Sequence, residues 1–177
     1  MTHVKRTIGL VTAVLVLAVT GLAAQAQPQF GGAWTLDRSQ SQFPAHGGNK
    51  TPSGAQNQTP SLVKLLVEQN GTNFKVTRSM ARDDRERTYT QSFVADGSEN
   101  TRQGHHGSTT VSKATLGGDR LVTQSTTTMP GKDGGDAKSF SRESTWTVSP
   151  DGRTLTINTV MHGPRGDRTM KTVYLKS

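Results

Sequence analysis

The chain has 177 residues, a formal net charge of +8 with neutral histidines, and 31% hydrophobic residues. It contains no cysteine, which excludes disulfides, thiolate metal sites and cysteine nucleophiles. The positive charge is spread along the chain and forms no basic block, which argues against nucleic-acid binding. A diffuse affinity for an anionic envelope component is the consequence that we expect of this charge.

Residues 1–26 have the three parts of a secretory signal peptide. They comprise a basic start, a short apolar core and a small-residue cleavage site, carried respectively by Lys5 and Arg6, residues 8–22, and Ala24 to Ala26. The apolar run is shorter than a membrane-spanning helix prefers, so an uncleaved anchor is only the alternative interpretation. We therefore expect an exported protein, periplasmic or secreted, with no stable membrane anchor after signal cleavage and a single domain over residues 27–177.

The clearest structural signal in the sequence is a β-hairpin near residues 139–160. Its first strand alternates with a period of two, as a half-buried strand does, and one face carries Phe140, Arg142, Ser144, Trp146 and Val148. A turn containing Pro150 and Gly152 follows, because proline presets φ and glycine tolerates a positive φ. Leu155 and Ile157 then alternate with threonines in the second strand.

The rest of the chain repeats this pattern, from a first strand at residues 31–37 to a last strand at 168–176. Asp37 starts a predicted turn or single helical turn, residues 44–60 form a predicted flexible loop, and residues 98–107 form a polar connection. With about 8–9 strands and no crossover helix, the sequence predicts an all-β, antiparallel up-and-down meander. A closed barrel is our first choice because closure removes sheet edges, and an open or sandwiched sheet is the alternative.

The first strand carries a recognisable motif, Gly32-Ala33-Trp34. It resembles the Gly-x-Trp signature of the lipocalin-like (calycin) barrels, and the chain as a whole resembles small exported bacterial proteins of that type with uncharacterised function. The resemblance implies that Gly32 and Trp34 form the signature at one barrel end, where the tryptophan packs on a basic side chain from the last strand. Arg168 or Lys171 is the basic residue that we expect there. The family's carrier role implies a small hydrophobic or amphiphilic ligand.

Several polar residues occur in phase with apolar ones, so a barrel would turn them inward. Arg78 continues the phase of Phe74 and Val76, and Gln91 lies between Tyr89 and Phe93. Because a guanidinium forms a planar fork that matches a carboxylate, the predicted ligand site would hold an anionic head group. It consists of Arg78, Tyr89, Gln91 and Arg142. The alternative is that the arginines lie near the rims and reach water along their stems.

Motifs for chemistry are absent from the sequence. His105 and His106 are adjacent, so on an extended chain they point apart, and we interpret them as a solvated pair and not as a metal site. No nucleophile elbow, zinc-protease motif or phosphate loop occurs. We therefore predict no catalytic residues, no metal, no cofactor and no enzyme activity. Two functions remain open, namely an exported barrel that binds a small hydrophobic or amphiphilic ligand, and a non-catalytic structural or protein-interaction module of the cell envelope.

Overall fold

The computed structural model describes residues 28–44, 62–82, 85–131, 135–164 and 166–177. The predicted signal peptide and most of the predicted loop at residues 44–60 lie outside these ranges. The described residues form ten strands, which are β1 (Gly32–Gln42), β2 (Leu62–Asn70), β3 (Asn73–Arg82), β4 (Arg85–Val94), β5 (Asp96–Gln103), β6 (Thr109–Gly117), β7 (Arg120–Met129), β8 (Lys138–Val148), β9 (Thr154–His162) and β10 (Arg168–Lys176). No helix in the described part of the chain is long and apolar enough to cross a membrane.

The strand order is that of a meander whose two ends meet. The order across the sheet is β4-β3-β2-β1-β10-β9-β8-β7-β6-β5, all antiparallel, so the first strand pairs with the last. The described strands therefore curl into a nearly closed barrel with a seam between β4 and β5. Ala95 spans one end of the seam, because its N–H donates to the Thr72 carbonyl and its own carbonyl accepts from the Leu116 N–H. The predicted antiparallel barrel is confirmed.

Strand β5 is a correction to the sequence analysis, which placed a polar connection at residues 98–107. The segment is a strand that pairs with β6 and lies at the sheet edge. It was missed because an edge strand that is exposed to solvent needs no apolar residue, and Asp96–Gln103 contains none. Its detection raises the strand number from the expected eight or nine to ten.

Strand β1 also runs further than predicted. The chain does not leave the sheet at Asp37, because Gln42 is again paired with Lys171 of β10. A register irregularity separates the two paired parts, and within it the Asp37 carboxylate accepts hydrogen bonds from the backbone N–H groups of Ser39 and Gln40. The turn-forming signal in this stretch was real, and it produces a bulge inside the strand.

The hydrophobic core fills one end of the barrel, which we call the closed end. Its largest fully buried side chains are Phe30, Trp34, Leu65, Leu121, Leu155 and Tyr174. Phe74 and Trp146 pack against Phe30 with ring centroids 6.2 and 6.5 Å away. The predicted hairpin between β8 and β9 helps to form this end, with Gly152 at φ 69° in its turn.

Trp34 is buried at this end of the barrel, and a basic side chain lies over its ring. Its ring is fully buried, its Nε1 donates to the Phe30 carbonyl at 2.9 Å, and the Lys176 Nζ lies 5.3 Å from its centroid. The expected partner, Arg168 or Lys171, was wrong. Register decides this, because Lys176 is the direct cross-strand partner of Trp34, whereas Arg168 pairs with Met161 at the other end of β10.

The position of Lys176 requires a glycine at residue 32. Gly32 has φ 138°, and a Cβ built on it would lie 3.1 Å from the Lys176 Cε. We expect Gly32→Ala to lower the free energy of unfolding in urea by about 1–3 kcal/mol, through backbone strain and displacement of the lysine. Gly117→Ala is the matched control, because a Cβ at Gly117 has no atom within 4 Å. Equal loss of stability in the two variants would contradict this explanation.

Candidate functional site

The pairing register shows which predicted site residues face the barrel interior, because cross-strand partners lie on the same face of a sheet. Trp34 is paired with Leu65, Leu65 with Arg78, and Arg78 with Tyr89. Since Trp34 and Leu65 are buried in the core, Arg78 and Tyr89 belong to the inner face. Gln91 is the partner of Val76 and lies on the same face, nearer the closed end.

Arg142 reaches the interior from the opposite side of the barrel. Strand β8 turns Trp146, Ser144 and Arg142 to the inner face, where Trp146 is the partner of the buried Ile157 and Arg142 is the partner of Met161. The Arg142 Nη2 lies 3.9 Å from the Met161 sulfur. The predicted site therefore draws on strands from both sides of the seam, with β3 and β4 on one side and β8 on the other.

The positive charge of Arg78 influences the guanidinium of Arg142. Burial, and after it the positive charge of Arg78, lowers the pKa of the Arg142 guanidinium. Arg142 is nevertheless exposed to solvent. A lowered pKa together with solvent exposure is expected of a side chain that lines a water-accessible interior. Neighbouring protein atoms displace part of its hydration shell there, but water still reaches the group. The two arginines remain charged at any physiological pH, so they repel each other.

Exposure along the inner face rises from one end of the barrel to the other. On β8, Trp146 and Ser144 are buried, whereas Arg142 is exposed and Phe140 is 39% exposed. On the edge strand β4, Tyr89 is 55% exposed. We call this accessible end, which contains Arg78, Tyr89, Phe140, Arg142 and Met161, the open end. It combines cationic groups with aromatic and thioether surface.

On the inner face of the described strands, as the pairing register assigns it, every charged residue is a cation. Arg82 is left out of this statement because its side chain is not described. At the open end the cations are Arg78, Arg85, Arg87, Arg102, Lys138, Arg142 and Arg168, and at the closed end Lys176. The strand carboxylates lie in the other phase, as Glu143 does where it accepts from the Gln124 amide. Within the described strands, the inner face therefore offers positive charge without a carboxylate to neutralise it.

Sequence reasoning found part of this cationic lining. It missed six of the inner-face cations, which are Arg85, Arg87, Arg102, Lys138, Arg168 and Lys176. The period-two phase of Tyr89 extends to Arg87, and that of Phe140 extends to Lys138, so both were within reach of the sequence. Arg102 was not, because the strand that carries it was not predicted.

The described residues near this cationic lining do not form a metal centre. The Nδ1 of His162, the last residue of β9, lies 2.7 Å from a carboxylate oxygen of Asp167 in the loop before β10. Among the described residues no group of three or more His, Cys, Asp or Glu side chains is arranged to hold a metal ion. The side chain of His105 is not described. His106 has an exposed side chain, and its backbone φ is 56°.

Two surface concavities lie away from the arginines. One of about 530 Å³ is beside Phe74 and Phe93 at the closed end, and one of about 520 Å³ is beside Phe43 and Met170. Arg78 and Arg142 line neither of them. Both concavities are lined by a mixture of inner-face and outer-face residues, so charge and register, and not concavity size, mark the open end as the candidate site.

Comparisons with known proteins agree with the architecture. No model of a known protein family matches the sequence, and no curated protein sequence is significantly similar to it. Among solved structures, the chain is similar to zebrafish ileal bile acid-binding protein complexed with cholic acid, with a TM-score of 0.52 and 17% identity over 84% of this chain and 98% of the other. The chain has a lipocalin-like calycin barrel fold. At this identity the likeness establishes the fold, and the function must be argued from the site.

Proposed function

We propose that this calycin barrel binds small anionic amphiphiles in its open end. The observation that carries the proposal is the charge of the inner face, to which the register of the described strands assigns Arg78, Arg142 and further cations but no carboxylate. Repulsion between like charges is a cost that the folded protein bears without a ligand. A bound anion would attract both guanidinium groups and so offset their mutual repulsion.

The chemistry of the open end suits an amphiphile better than a free inorganic anion. A carboxylate, sulfate or phosphate head can accept paired hydrogen bonds from a guanidinium fork. The apolar part of the molecule would then contact Tyr89, Phe140 and Met161, which share the inner face with the arginines. Burial of this exposed apolar surface adds to the binding free energy.

The structural neighbour supports a binding role over catalysis. That neighbour is a bile acid-binding protein in complex with cholic acid, which is itself an anionic amphiphile. The basic and apolar pattern of residues 1–26 supports a further part of the proposal, that the barrel acts after export, in the periplasm or as a secreted protein.

A second candidate is a non-catalytic structural or protein-interaction module of the cell envelope. One observation favours it. Leu66 and Leu175 are 47% and 43% exposed on the outer face, opposite Ala33 and Thr35 of the same strand β1. This small apolar area would suit a protein partner, and it would leave the open end without a ligand.

Native mass spectrometry of the protein, purified gently from its own source, separates the two candidates. We expect a complex heavier than the protein by a small molecule, which dissociates on collisional activation as an anion. A protein of apo mass, whose melting temperature is unchanged by fatty carboxylates, alkyl sulfates and lysophospholipids, would contradict ligand binding and favour the interaction module.

A further inference from the structure

The inner face of β7 changes from apolar to hydroxylic toward the open end. Leu121, the partner of the core residue Trp146, is fully buried. The next three inner-face residues of the strand are Thr123, Ser125 and Thr127, and all three are half-buried. Since these side chains face the interior, their exposed parts are in contact with the solvent that enters the open end. A ligand in the open end can therefore reach them.

The neighbouring strand β6 extends this polar surface, because cross-strand partners lie on the same face of a sheet. Two half-buried residues of β6 are the partners of Ser125 and Thr127. We call the surface the hydroxyl wall, and it consists of Thr110, Ser112, Thr123, Ser125 and Thr127. Across the seam the inner face is different, since β3 presents Phe74, Val76 and Met80 besides Arg78.

The hydroxyl wall has hydrogen-bonding capacity that protein groups do not use. The Oγ1 atoms of Thr110 and Thr127 are 2.8 Å apart, and the pair keeps one proton to donate because only one of two such hydroxyls donates to the other. Within the described part of the chain, the hydroxyls of Thr123 and Ser125 have no hydrogen-bond partner. These groups are therefore open to water or to a ligand.

The hydroxyl wall adjoins the arginine that the proposed function assigns to the anionic head. Ser125 is the direct cross-strand partner of Arg142. Opposite side chains have Cβ atoms about 4.5–5.5 Å apart, so a head group bound by Arg142 lies within reach of the Ser125 hydroxyl. A hydrocarbon chain placed there would take hydroxyls out of water without replacing their hydrogen bonds, which costs free energy. The wall therefore favours polar groups next to the anion.

We infer that the head of the ligand carries hydroxyl groups beside its anionic group, as a sugar acid does, and that these groups hydrogen-bond the hydroxyl wall. The inference rests on the proposed function and specifies the ligand class as an amphiphile with a polyhydroxylated anionic head. Arg142 binds the anion, and Ser125 and Thr123 exchange hydrogen bonds with the adjacent hydroxyls. A ligand hydroxyl suits this wall because it can both donate and accept.

Three probes with the same alkyl chain test the inference. They are an alkyl glucuronide, the neutral alkyl glucoside that lacks its carboxylate, and a fatty carboxylate that lacks the sugar. In calorimetric titration of the wild-type protein, the glucuronide should bind about tenfold more tightly than the fatty carboxylate, because it adds hydrogen bonds to the wall. The glucoside should bind more weakly than the glucuronide, because it offers no charge to the arginines.

The variant Thr123→Val/Ser125→Ala removes two hydroxyls of the wall and should reduce the preference for the glucuronide to about twofold or less. The matched control is Thr115→Val/Thr126→Val, which removes two exposed hydroxyls from the outer faces of β6 and β7. This control should keep the tenfold preference of the wild-type protein.

Nuclear magnetic resonance of threonine methyl groups in the wild-type protein gives a readout that does not depend on how a variant folds. The glucuronide should shift the methyl signal of Thr123, which lies on the inner face. It should leave the signals of Thr115 and Thr126 in place, because these residues lie on the outer face.

The outcomes separate the two claims. Equal affinity of the wild-type protein for the glucuronide and the fatty carboxylate, or a preference that persists in Thr123→Val/Ser125→Ala, would overturn the role of the wall while leaving anion binding intact. A Thr123 signal that the glucuronide does not move would also overturn it. If the glucoside binds as tightly as the glucuronide, or if no probe binds, the proposed function itself is wrong.

Discussion

Trp34→Ala should lower the free energy of unfolding by about 3–5 kcal/mol, the range measured for truncation of large buried aromatic side chains. The residue is fully buried, donates to the Phe30 carbonyl and lies beneath Lys176. Its truncation removes apolar burial, a hydrogen bond and a cation–π contact together. The effect is large because the core has no disulfide and occupies only one end of the barrel. Urea denaturation followed by circular dichroism measures the effect.

Leu66→Ala is the matched control for this prediction. Leu66 is also an apolar residue next to β1, but it lies on the outer face and is 47% exposed, so its truncation should cost less than about 1 kcal/mol. A Trp34→Ala variant as stable as the Leu66→Ala variant would show that the closed end is not the source of stability that the buried residues indicate.

The double variant Arg78→Gln/Arg142→Gln should weaken the binding of a fatty carboxylate about 100-fold, as judged by calorimetric titration. The reason is that each charge-assisted hydrogen bond contributes about 1.5–3 kcal/mol, and the two contributions need not add because both arginines contact the same head group. Glutamine keeps a polar amide on a shorter side chain and removes the charge, so the loss reports on the charged guanidinium groups.

Lys64→Gln is the control for charge removal, because Lys64 lies on the outer face of β2 and is exposed. It should leave affinity within about twofold of the wild-type value, since an exposed charge beyond the interior is largely screened. The ligand-free double variant should also be slightly more stable than the wild type, by no more than about 1 kcal/mol after solvent screening, because the Arg78–Arg142 repulsion is gone. A double variant that loses stability and affinity together would contradict a binding role for this pair.

The fold could be predicted because the strands near the closed end alternate apolar and polar residues. In the β8–β9 hairpin, Trp146, Leu155 and Ile157 follow the period of the barrel interior, and the turn at Gly152 fixes the register. The strand β5 could not be predicted in this way. An edge strand at the open end has water on both faces, so its sequence carries no apolar phase to detect.

The candidate site could be predicted in composition but not in geometry. The phase of β3 and β8 was sufficient to turn Arg78 and Arg142 inward. That Arg78 and Arg142 face one interior depends on which strands become neighbours at closure, and a local pattern does not encode that. The same limit explains the wrong partner for Trp34, because only the β1–β10 register selects Lys176 over Arg168 and Lys171. The roles of Arg78, Tyr89, Gln91 and Arg142 in binding stay a prediction.

Displacement of anilinonaphthalene sulfonate, a fluorescent anionic probe, tests the central claim most directly. The probe should fluoresce on binding to the wild-type protein, and a fatty carboxylate should displace it, whereas a trimethylammonium amphiphile of the same chain length should not. The cationic inner face predicts this discrimination because the two competitors share the same tail and carry head groups of opposite charge. Equal displacement by both, or full probe binding retained in Arg78→Gln/Arg142→Gln, would contradict an anion site inside the barrel.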